Sequence, residues 1–329
     1  MQISTLNKKI FICAFTLLVV ATGCVKNTSI APLTPSTSTI AAIVKGGSNV
    51  TIFDSALSKS GLLDSLLNQS GPFTLFLPTD AACLSAGFTD SSVYKMTKDS
   101  LRKFLAYYIY QGNALKLADG SLPAGPNHPL EMIDSLDTVY CTVSGGMGYI
   151  NGKGISQADV IANNGVIQVL AGLYYPPQGN LLAVIESDTT LSFLDTAILV
   201  AKNSTAYSNI YNLLSSGVYT IFAPTNNAFR LTADSTSAII LAGNPDSIAR
   251  LLQTHIITGR LFSSDLSSTD TLYSIYSPTP DSLFVSASIG LTIQSKGDST
   301  AASMITTNIP ATNGMIHKVN QVLFPFYPF

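Results

Sequence analysis

The chain has 329 residues, of which 46% are hydrophobic and only 11% charged, and its formal net charge is −2. A chain of this length and apolar content can bury the core of one large domain or of two ordinary ones. Basic residues are few and form no run, which argues against a phosphate-reading surface and against a nucleic-acid partner.

The amino terminus has the pattern of an export signal. Lys8 and Lys9 precede thirteen mostly apolar residues, 10–22, a run too short to span a bilayer core as a helix, which needs about 20 residues. The run ends in ATGC, which resembles a bacterial lipobox. Residues 1–23 are therefore predicted to be a lipoprotein signal peptide, with Cys24 lipidated. An ordinary signal peptide with an incidental Cys24 is the alternative.

The predicted mature chain begins with a tether. Removal of residues 1–23 takes away two lysines and no acid, which leaves 15 basic against 19 acidic residues, a net charge of −4. Residues 24–38 are rich in Ser, Thr and Pro, as a solvated tether is. We expect a lipid-anchored protein of the bacterial cell envelope, most simply in the outer membrane. No acidic cluster follows Cys24, so the side of the membrane stays open.

Helical patterns dominate the next stretch. Residues 60–71 place four leucines on one helix face, with Ser60 as a plausible N-cap. A second apolar stripe runs through 97–112 and includes Tyr108, and Gly112 suits the end of that helix. Both segments are predicted to be helices.

The pattern then changes to short β-type runs separated by turn residues, as in 138–145, 282–288 and 290–297. Asn151 and Gly152 predict a hairpin turn between two of these runs. Helices followed by antiparallel strands predict an α+β fold class.

The chain also repeats itself. Three blocks recur in the same order at an offset of 146 to 149 residues: 70–83 with 216–229, 100–112 with 247–259, and 163–176 with 312–325. The repetition predicts two tandem domains, 39–177 and 178–329, joined where prolines and a glycine interrupt residues 174–180.

The best-preserved block predicts a strand-to-helix corner. In TIFAPTNNAF, residues 220–229, Pro224 is expected to end the strand, and Thr225 or Asn226 to cap a helix. Pro78, Thr79 and Asp80 provide the same residue types in the first copy.

These blocks resemble the fasciclin domain, most clearly in APTNNAF, HIITG and ATNGMIHKVNQVLFP. The resemblance covers about residues 38–329. It implies two β-sandwich wedges with packed helices, of a kind found in secreted or surface-anchored proteins and associated with adhesion.

The resemblance also implies candidate interaction residues. In animal fasciclin domains, an Asp-Ile pair before ATNG and a Tyr-His pair near the central helix are linked with integrin binding. The corresponding residues here are Asp159, Val160, Asn308 and Ile309 for the first pair and Tyr107, Tyr108, Thr254 and His255 for the second. Neither copy keeps both pairs, so integrin binding is not inferred. These segments remain candidate contact surfaces, with ordinary packing as the alternative.

The few residues suited to chemistry favour structural roles. His255 corresponds to Tyr108 and His317 to Gln168, and neither tyrosine nor glutamine shuttles protons well near neutral pH. Both histidines are therefore predicted to make structural hydrogen bonds, and His128 to lie in a loop.

No catalytic or ligand motif appears in the sequence. There is no GxSxG nucleophile elbow, no His or Cys spacing typical of a metal site, and the glycine-rich segment 145–154 does not fit the P-loop pattern. The sequence thus predicts no enzyme activity, no metal and no cofactor.

Two features leave alternatives open. Cys83 and Cys141 are expected to be buried free thiols, although an oxidising envelope would permit a bridge. The aromatic tail 324–329 is expected to pack on the second domain, with docking onto another envelope protein as the alternative.

Taken together, the sequence predicts a lipid-anchored extracytoplasmic binding or adhesion protein. It would present two domains to a protein or glycan partner through a surface rich in Asn, Ser, Thr and Tyr. The alternative function is that of an accessory subunit in an envelope complex, one for glycan uptake included.

Overall fold

A computed structural model describes residues 32–65, 67–133, 138–207, 209–233, 236–266, 270–275, 280–288 and 290–326. The predicted signal peptide and Cys24 lie outside these ranges. In the described part of the chain, no helix has both the length and the apolar character needed to cross a membrane.

The first domain begins with helices and ends with a sheet. Its described helices are Ile40–Gly46 (α1), Thr51–Ser60 (α2), Leu62–Ser65 (α3), Asp80–Ser85 (α4), Asp90–Lys95 (α5) and Lys98–Ala106 (α6). Its described strands are Phe73–Pro78 (β1), Ile109–Gln111 (β2), Gly125–Glu131 (β3), Thr138–Ser144 (β4), Met147–Ile150 (β5), Lys153–Ala162 (β6) and Gly165–Leu170 (β7).

The second domain repeats this order. Its described helices are Leu181–Ser187 (α7), Ser192–Ala201 (α8), Ile210–Ser216 (α9), Asn226–Arg230 (α10), Ser237–Leu241 (α11) and Pro245–Thr254 (α12), with short 3-10 turns at Thr189–Leu191 and Ser263–Asp265. Its described strands are Tyr219–Pro224 (β8), Ile256–Thr258 (β9), Thr271–Tyr273 (β10), Ser282–Ser286 (β11), Thr292–Ser295 (β12), Ala302–Ala311 (β13) and Gly314–Val319 (β14).

Each domain has one seven-stranded sheet, in the order β2-β1-β7-β6-β5-β4-β3 and β10-β11-β12-β13-β14-β8-β9 over the described residues. The central pairs β1–β7 and β8–β14 are parallel, and the remaining described ladders are antiparallel. The α+β class and the tandem duplication are thus confirmed.

The corner that the sequence repeats has the predicted structure in both domains. Pro78 and Pro224 are the last residues of fully or nearly fully buried strands. Thr79 and Thr225 then cap the following helices, because each hydroxyl accepts the backbone N–H three residues later, from Ala82 in the first domain.

The helix boundaries differ from the prediction at three points. Ser60 is the last residue of α2, and its hydroxyl accepts the N–H of Leu62 across the left-handed Gly61, where α3 begins. Since α3 ends at Ser65, Leu67 at the end of the predicted stripe lies beyond it. Tyr108 lies just beyond α6, which ends at Ala106. A short strand intervenes before Gly112, whose φ of 113° ends that strand rather than the helix.

Other predicted elements are confirmed. Asn244 caps α12 by accepting two backbone N–H groups, with Pro245 at the first helical position. Asn151 and Gly152 both have positive φ and join Ile150 to Lys153 as a two-residue hairpin. His128, expected in a loop, instead lies within β3 opposite Cys141. The left-handed Asn127, with a φ of 55°, accommodates a register shift between Gly125 and His128, and the strand continues beyond it.

Each domain has its own hydrophobic core. The first core draws only on residues between Leu33 and Tyr174, and the two clusters of the second domain only on residues between Leu181 and Leu323. Part of the predicted tether joins the first core, because Leu33 is buried and exchanges two backbone hydrogen bonds with the Gln157 amide.

Candidate interaction surfaces

The two domains meet where β3 and β4 of the first domain contact the loop after β9 of the second. The guanidinium carbon of Arg260 lies 4.7 Å from the ring centroid of Tyr140. The Thr142 hydroxyl donates to the Asp265 carboxylate at 3.0 Å, and the Asn127 amide donates to the Arg260 carbonyl at 2.7 Å. Polar and aromatic contacts therefore connect the domains beyond the covalent linker.

A second set of contacts completes this junction. The ring of Phe262 lies 6.0 Å from that of Tyr140, centroid to centroid, and Phe262 is buried. Gly152 approaches so closely that an added Cβ would lie 2.5 Å from the Asn308 amide nitrogen. A cavity of about 130 Å³ remains at the junction, lined in part by Tyr107 and Arg260.

A cleft of about 710 Å³ lies at the other end of the first domain. It is lined by the β6–β7 turn, by the loop after β2 and by polar residues near Pro72. The lining residues of these segments include Thr39, Asn68, Gln69, Ser70, Ala114, Lys116, Ile161, Asn163 and Gly165. Most of these side chains are uncharged donors and acceptors, which suit a polar ligand.

A smaller cleft of about 380 Å³ opens on the second domain beside the strand-to-helix corner. Arg230 and Lys318 supply its charge, but Lys318 is already paired with Asp188 at 2.5 Å and donates to Thr190 at 2.9 Å. Burial raises the pKa of Asp188, but the hydrogen bonds from Lys318 and Thr190 outweigh it and lower that pKa overall.

The tyrosine and histidine candidates lie in the interior. Tyr107, Tyr108, Thr254 and His255 are all buried, so none reaches a partner without rearrangement. Tyr108 donates its hydroxyl to the Tyr174 carbonyl and accepts the Tyr174 N–H at 3.0 Å. These contacts tie the end of the first domain to the short segment between α6 and β2.

His255 makes the corresponding contact in the second domain. Its Nε2 accepts the Leu323 N–H at 2.9 Å, so Nδ1 carries the proton and donates to the Leu251 carbonyl at 3.0 Å. Burial lowers the pKa of His255 to about 4, which keeps the ring neutral. The predicted structural hydrogen bonding is confirmed for this histidine.

His317 and Gln168 also play equivalent roles. The Nε2 of His317 lies 2.9 Å from the Leu261 carbonyl, and the Gln168 amide donates to the Leu115 carbonyl at 2.8 Å. Burial lowers the pKa of His317 to about 4, and its ring stacks on Phe222. Both residues position the loop that follows the second strand of their domain.

Asp159 and Asn308, from the candidates that correspond to the Asp-Ile pair, bind the same two loops. Asp159 accepts the N–H groups of Leu117 and Ala118 at 2.9 and 2.8 Å, and Asn308 accepts that of Ser263 at 2.7 Å. Both residues adopt left-handed φ values, 57° and 60°. Val160 is buried and Ile309 partly buried against the second core, whereas Asp159 and Asn308 are partly exposed polar residues. The side-chain polar atoms of both residues are engaged in hydrogen bonds within their own domain.

Cys83 and Cys141 are buried free thiols, as the packing interpretation predicts. Burial raises the pKa of each thiol to about 12, which makes both poor nucleophiles. Within the described ranges, no group of three or more His, Cys, Asp or Glu side chains could hold a metal ion.

The described part of the aromatic tail packs on the second domain. Phe324 donates its N–H to Asp298 at 2.8 Å, and its carbonyl accepts the Ser295 hydroxyl at 2.7 Å. Lys296 lies 4.2 Å from the ring centroid of Phe326. Residues 327–329 lie outside the described part of the chain.

Comparison with known proteins identifies the family of the two domains. The fasciclin domain model matches residues 48–176 and 196–325. The chain belongs to the fasciclin domain family and carries two copies of its domain. Fasciclin domains occur in cell-adhesion proteins, and the family is typically composed of non-enzymatic binding modules.

Similar proteins come from bacteria and animals. The chain is 27% identical to protein sll1483 of Synechocystis over 44% of this chain and 73% of that protein. It is 30% identical to pig transforming growth factor-beta-induced protein ig-h3 over 52% of this chain, and 27% identical to human periostin over 68% of it. The match spans only 23% of ig-h3 and 24% of periostin.

A solved fasciclin domain pair from the insect cell adhesion molecule fasciclin I is 17% identical. The structural match covers 83% of this chain and 96% of the fasciclin I chain, with a TM-score of 0.39.

Two functional features escape sequence reasoning. Asn164 and Asn313 anchor the last hairpin of each domain, and the repeated NG dipeptide at 164–165 and 313–314 is the signal that could have identified them. Arg260 forms the junction, but it has no counterpart arginine in the first copy, so the duplication gives no hint of its role.

Proposed function

We propose that this protein is a lipid-anchored binding protein of a bacterial envelope, which uses its paired fasciclin domains to adhere to a protein or glycan partner. The observation that carries the proposal is the packing of two fasciclin domains into one unit that leaves a polar cleft of about 710 Å³ uncovered. Membership of a family found in adhesion proteins supports the same role.

The described side chains favour a role in recognition over one in catalysis. The histidines at 255 and 317 are buried and neutral, and the two described thiols are buried with raised pKa values. The open cleft instead offers amide, hydroxyl and backbone groups, which bind a partner by hydrogen bonds.

The anchor in this proposal is the lipid on Cys24. The test is a Cys24→Ser variant expressed in the native host, with Cys13→Ser as the matched control in the same segment. We expect the Cys24 variant to leave the membrane fraction and the Cys13 variant to stay there. Equal membrane association of both variants would contradict the lipid anchor.

Adhesion is tested on intact cells. Added protease should degrade the protein while a periplasmic control survives, and deletion of the protein should reduce attachment of the cells to coated surfaces. Protection from protease would contradict the adhesion role and favour a periplasmic partner, as an accessory subunit would have.

A further inference from the structure

The Arg260 side chain fills a backbone site within its own domain. Its guanidinium donates to the carbonyls of Ala311 and Gly314 at 2.9 and 2.5 Å through Nη1, and to that of Thr312 at 3.0 Å through Nη2. All three carbonyls belong to the tight turn between β13 and β14. This turn is therefore a receptor for a planar, forked cation.

The first domain contains the same turn. Ala162 pairs with Gly165 as Ala311 pairs with Gly314, and each turn is two residues long. Asn164 accepts a helix N–H at 2.8 Å, and Asn313 does the same at 2.8 Å. The backbone receptor thus recurs at residues 162–165.

The arginine does not recur. Thr74 accepts the Leu115 N–H at 2.8 Å, and Thr220 accepts the Leu261 N–H at 2.8 Å, so these two leucines occupy equivalent positions. The first domain has one residue more between its matching glycine, Gly112, and this leucine. The Thr74 hydroxyl donates to the Asn113 carbonyl as the Thr220 hydroxyl donates to the Gly259 carbonyl, so Ala114 stands where the second domain has Arg260. A methyl group in place of the arginine side chain leaves the turn uncovered.

The space left open is the cleft of about 710 Å³, which Ala114, Ala162, Asn163 and Gly165 all line. We call it the 162–165 cleft. Among the described lining residues, Lys116 is the one cation. It is paired with Asp119 at 3.2 Å, and this carboxylate offsets its repulsion of a second cation.

We propose that the 162–165 cleft binds a guanidinium group, presented as an arginine side chain by a partner protein. The carbonyls of Ala162, Asn163 and Gly165 accept its N–H groups, as their counterparts accept those of Arg260. An ammonium group is a point charge without this planar fork, so it fits three carbonyls around one turn less well. The inference rests on the proposed binding function only for the identity of the partner.

The test is a titration of the full chain with N-acetyl-arginine methylamide, followed by ¹H–¹⁵N NMR. We expect shifts at the backbone amides of residues 162–166 and at the side-chain amide of Asn68. The citrulline analogue is neutral and of nearly the same shape, and it should bind about tenfold more weakly because its hydrogen bonds lack the charge. Equal binding of both analogues, or no shifts at these residues, would overturn the proposal.

Three variants locate the site. Ala114→Arg supplies the missing side chain from within, so it should abolish the shifts caused by the arginine probe. Ala114→Gly keeps the cleft open and should bind as the unaltered chain does. If Ala114→Arg does not fold, Asn163→Pro changes the turn and should weaken binding without filling the cleft. Unchanged binding by a folded Ala114→Arg variant would overturn the proposal.

Failure here is distinguishable from failure of the proposed function. Shifts in the 162–165 cleft with neutral oligosaccharides but not with the arginine probe would overturn the guanidinium assignment and leave adhesion standing. Arginine binding in cells that do not adhere would leave the site standing and contradict adhesion.

Discussion

Arg260 of the second domain lies over the ring of Tyr140 in the first, with 4.7 Å between the guanidinium carbon and the ring centroid. The guanidinium cannot swing away freely, because three carbonyls of its own domain hold its N–H groups. Tyr140 is therefore packed against a fixed cation, and the contact adds to the hydrogen bonds that join the two domains.

This contact should couple the stabilities of the two domains. In a double-mutant cycle of Arg260→Met and Tyr140→Leu, we expect a coupling energy of about 0.5–1 kcal/mol from the cation–π contact. The measurement is the free energy of unfolding from urea titration of all four proteins. Strict additivity of the two single changes would show that the stacking contributes nothing.

The close approach of Gly152 to the Asn308 side chain allows a test of the same junction that changes no charge. Gly152 and Gly146 both have positive φ, 72° and 77°, but only an added Cβ at Gly152 would meet a neighbour, Asn308, at 2.5 Å. We expect Gly146→Ala to cost about 1 kcal/mol of stability through backbone strain. Gly152→Ala should cost a further 1–3 kcal/mol or so through overpacking at the junction. Equal costs by thermal unfolding would contradict the close domain contact.

The buried Asn164 side chain joins three segments of the first domain. It accepts the Ile40 N–H and donates to the carbonyls of Leu67 and Gln69, each at 2.8 Å. Asn164→Ala leaves these backbone groups without their partner, which should cost about 2–4 kcal/mol in the free energy of unfolding. Asn163→Ala, at the exposed neighbouring position, is the control and should change stability by less than about 0.5 kcal/mol.

Much of this architecture could be predicted because local sequence encodes it. The Pro-Thr corner at residues 78–79 and the Asn151-Gly152 turn each depend on neighbouring residues, and both appear as predicted. The early end of α3 at Ser65 was not predictable from the leucine pattern, because the buried Leu67 continues the same apolar stripe beyond it.

The candidate surfaces were harder to predict for a related reason. The burial of Tyr108 and the exposure of the cleft beside Ala114 depend on tertiary packing, which one copy of a motif does not reveal. The contact of Arg260 with Tyr140 joins residues 120 positions apart in different domains, and no periodicity carries that information.

The buried histidines should make the protein sensitive to mild acid. Burial lowers the pKa of His317 in the folded state to about 4, from an ordinary value of 6.5, so the unfolded chain binds the extra proton between these pH values. Its contribution to stability is therefore complete above about pH 6.5, is lost progressively as the pH falls, and stays constant below about pH 4. A shift of this size corresponds to about 3 kcal/mol.

His317→Gln tests this dependence with the residue that the first domain already uses. Glutamine can donate to the Leu261 carbonyl as Gln168 donates to that of Leu115, so the fold should persist. Between pH 6.5 and 4, we expect the variant to lose about 3 kcal/mol less stability than the unaltered chain, because its side chain does not titrate. The measurement is urea unfolding at half-unit steps of pH. His128→Gln, on β3, is the control for the substitution itself. Parallel stability curves for His317→Gln and the unaltered chain would show that His317 is not held neutral in the fold.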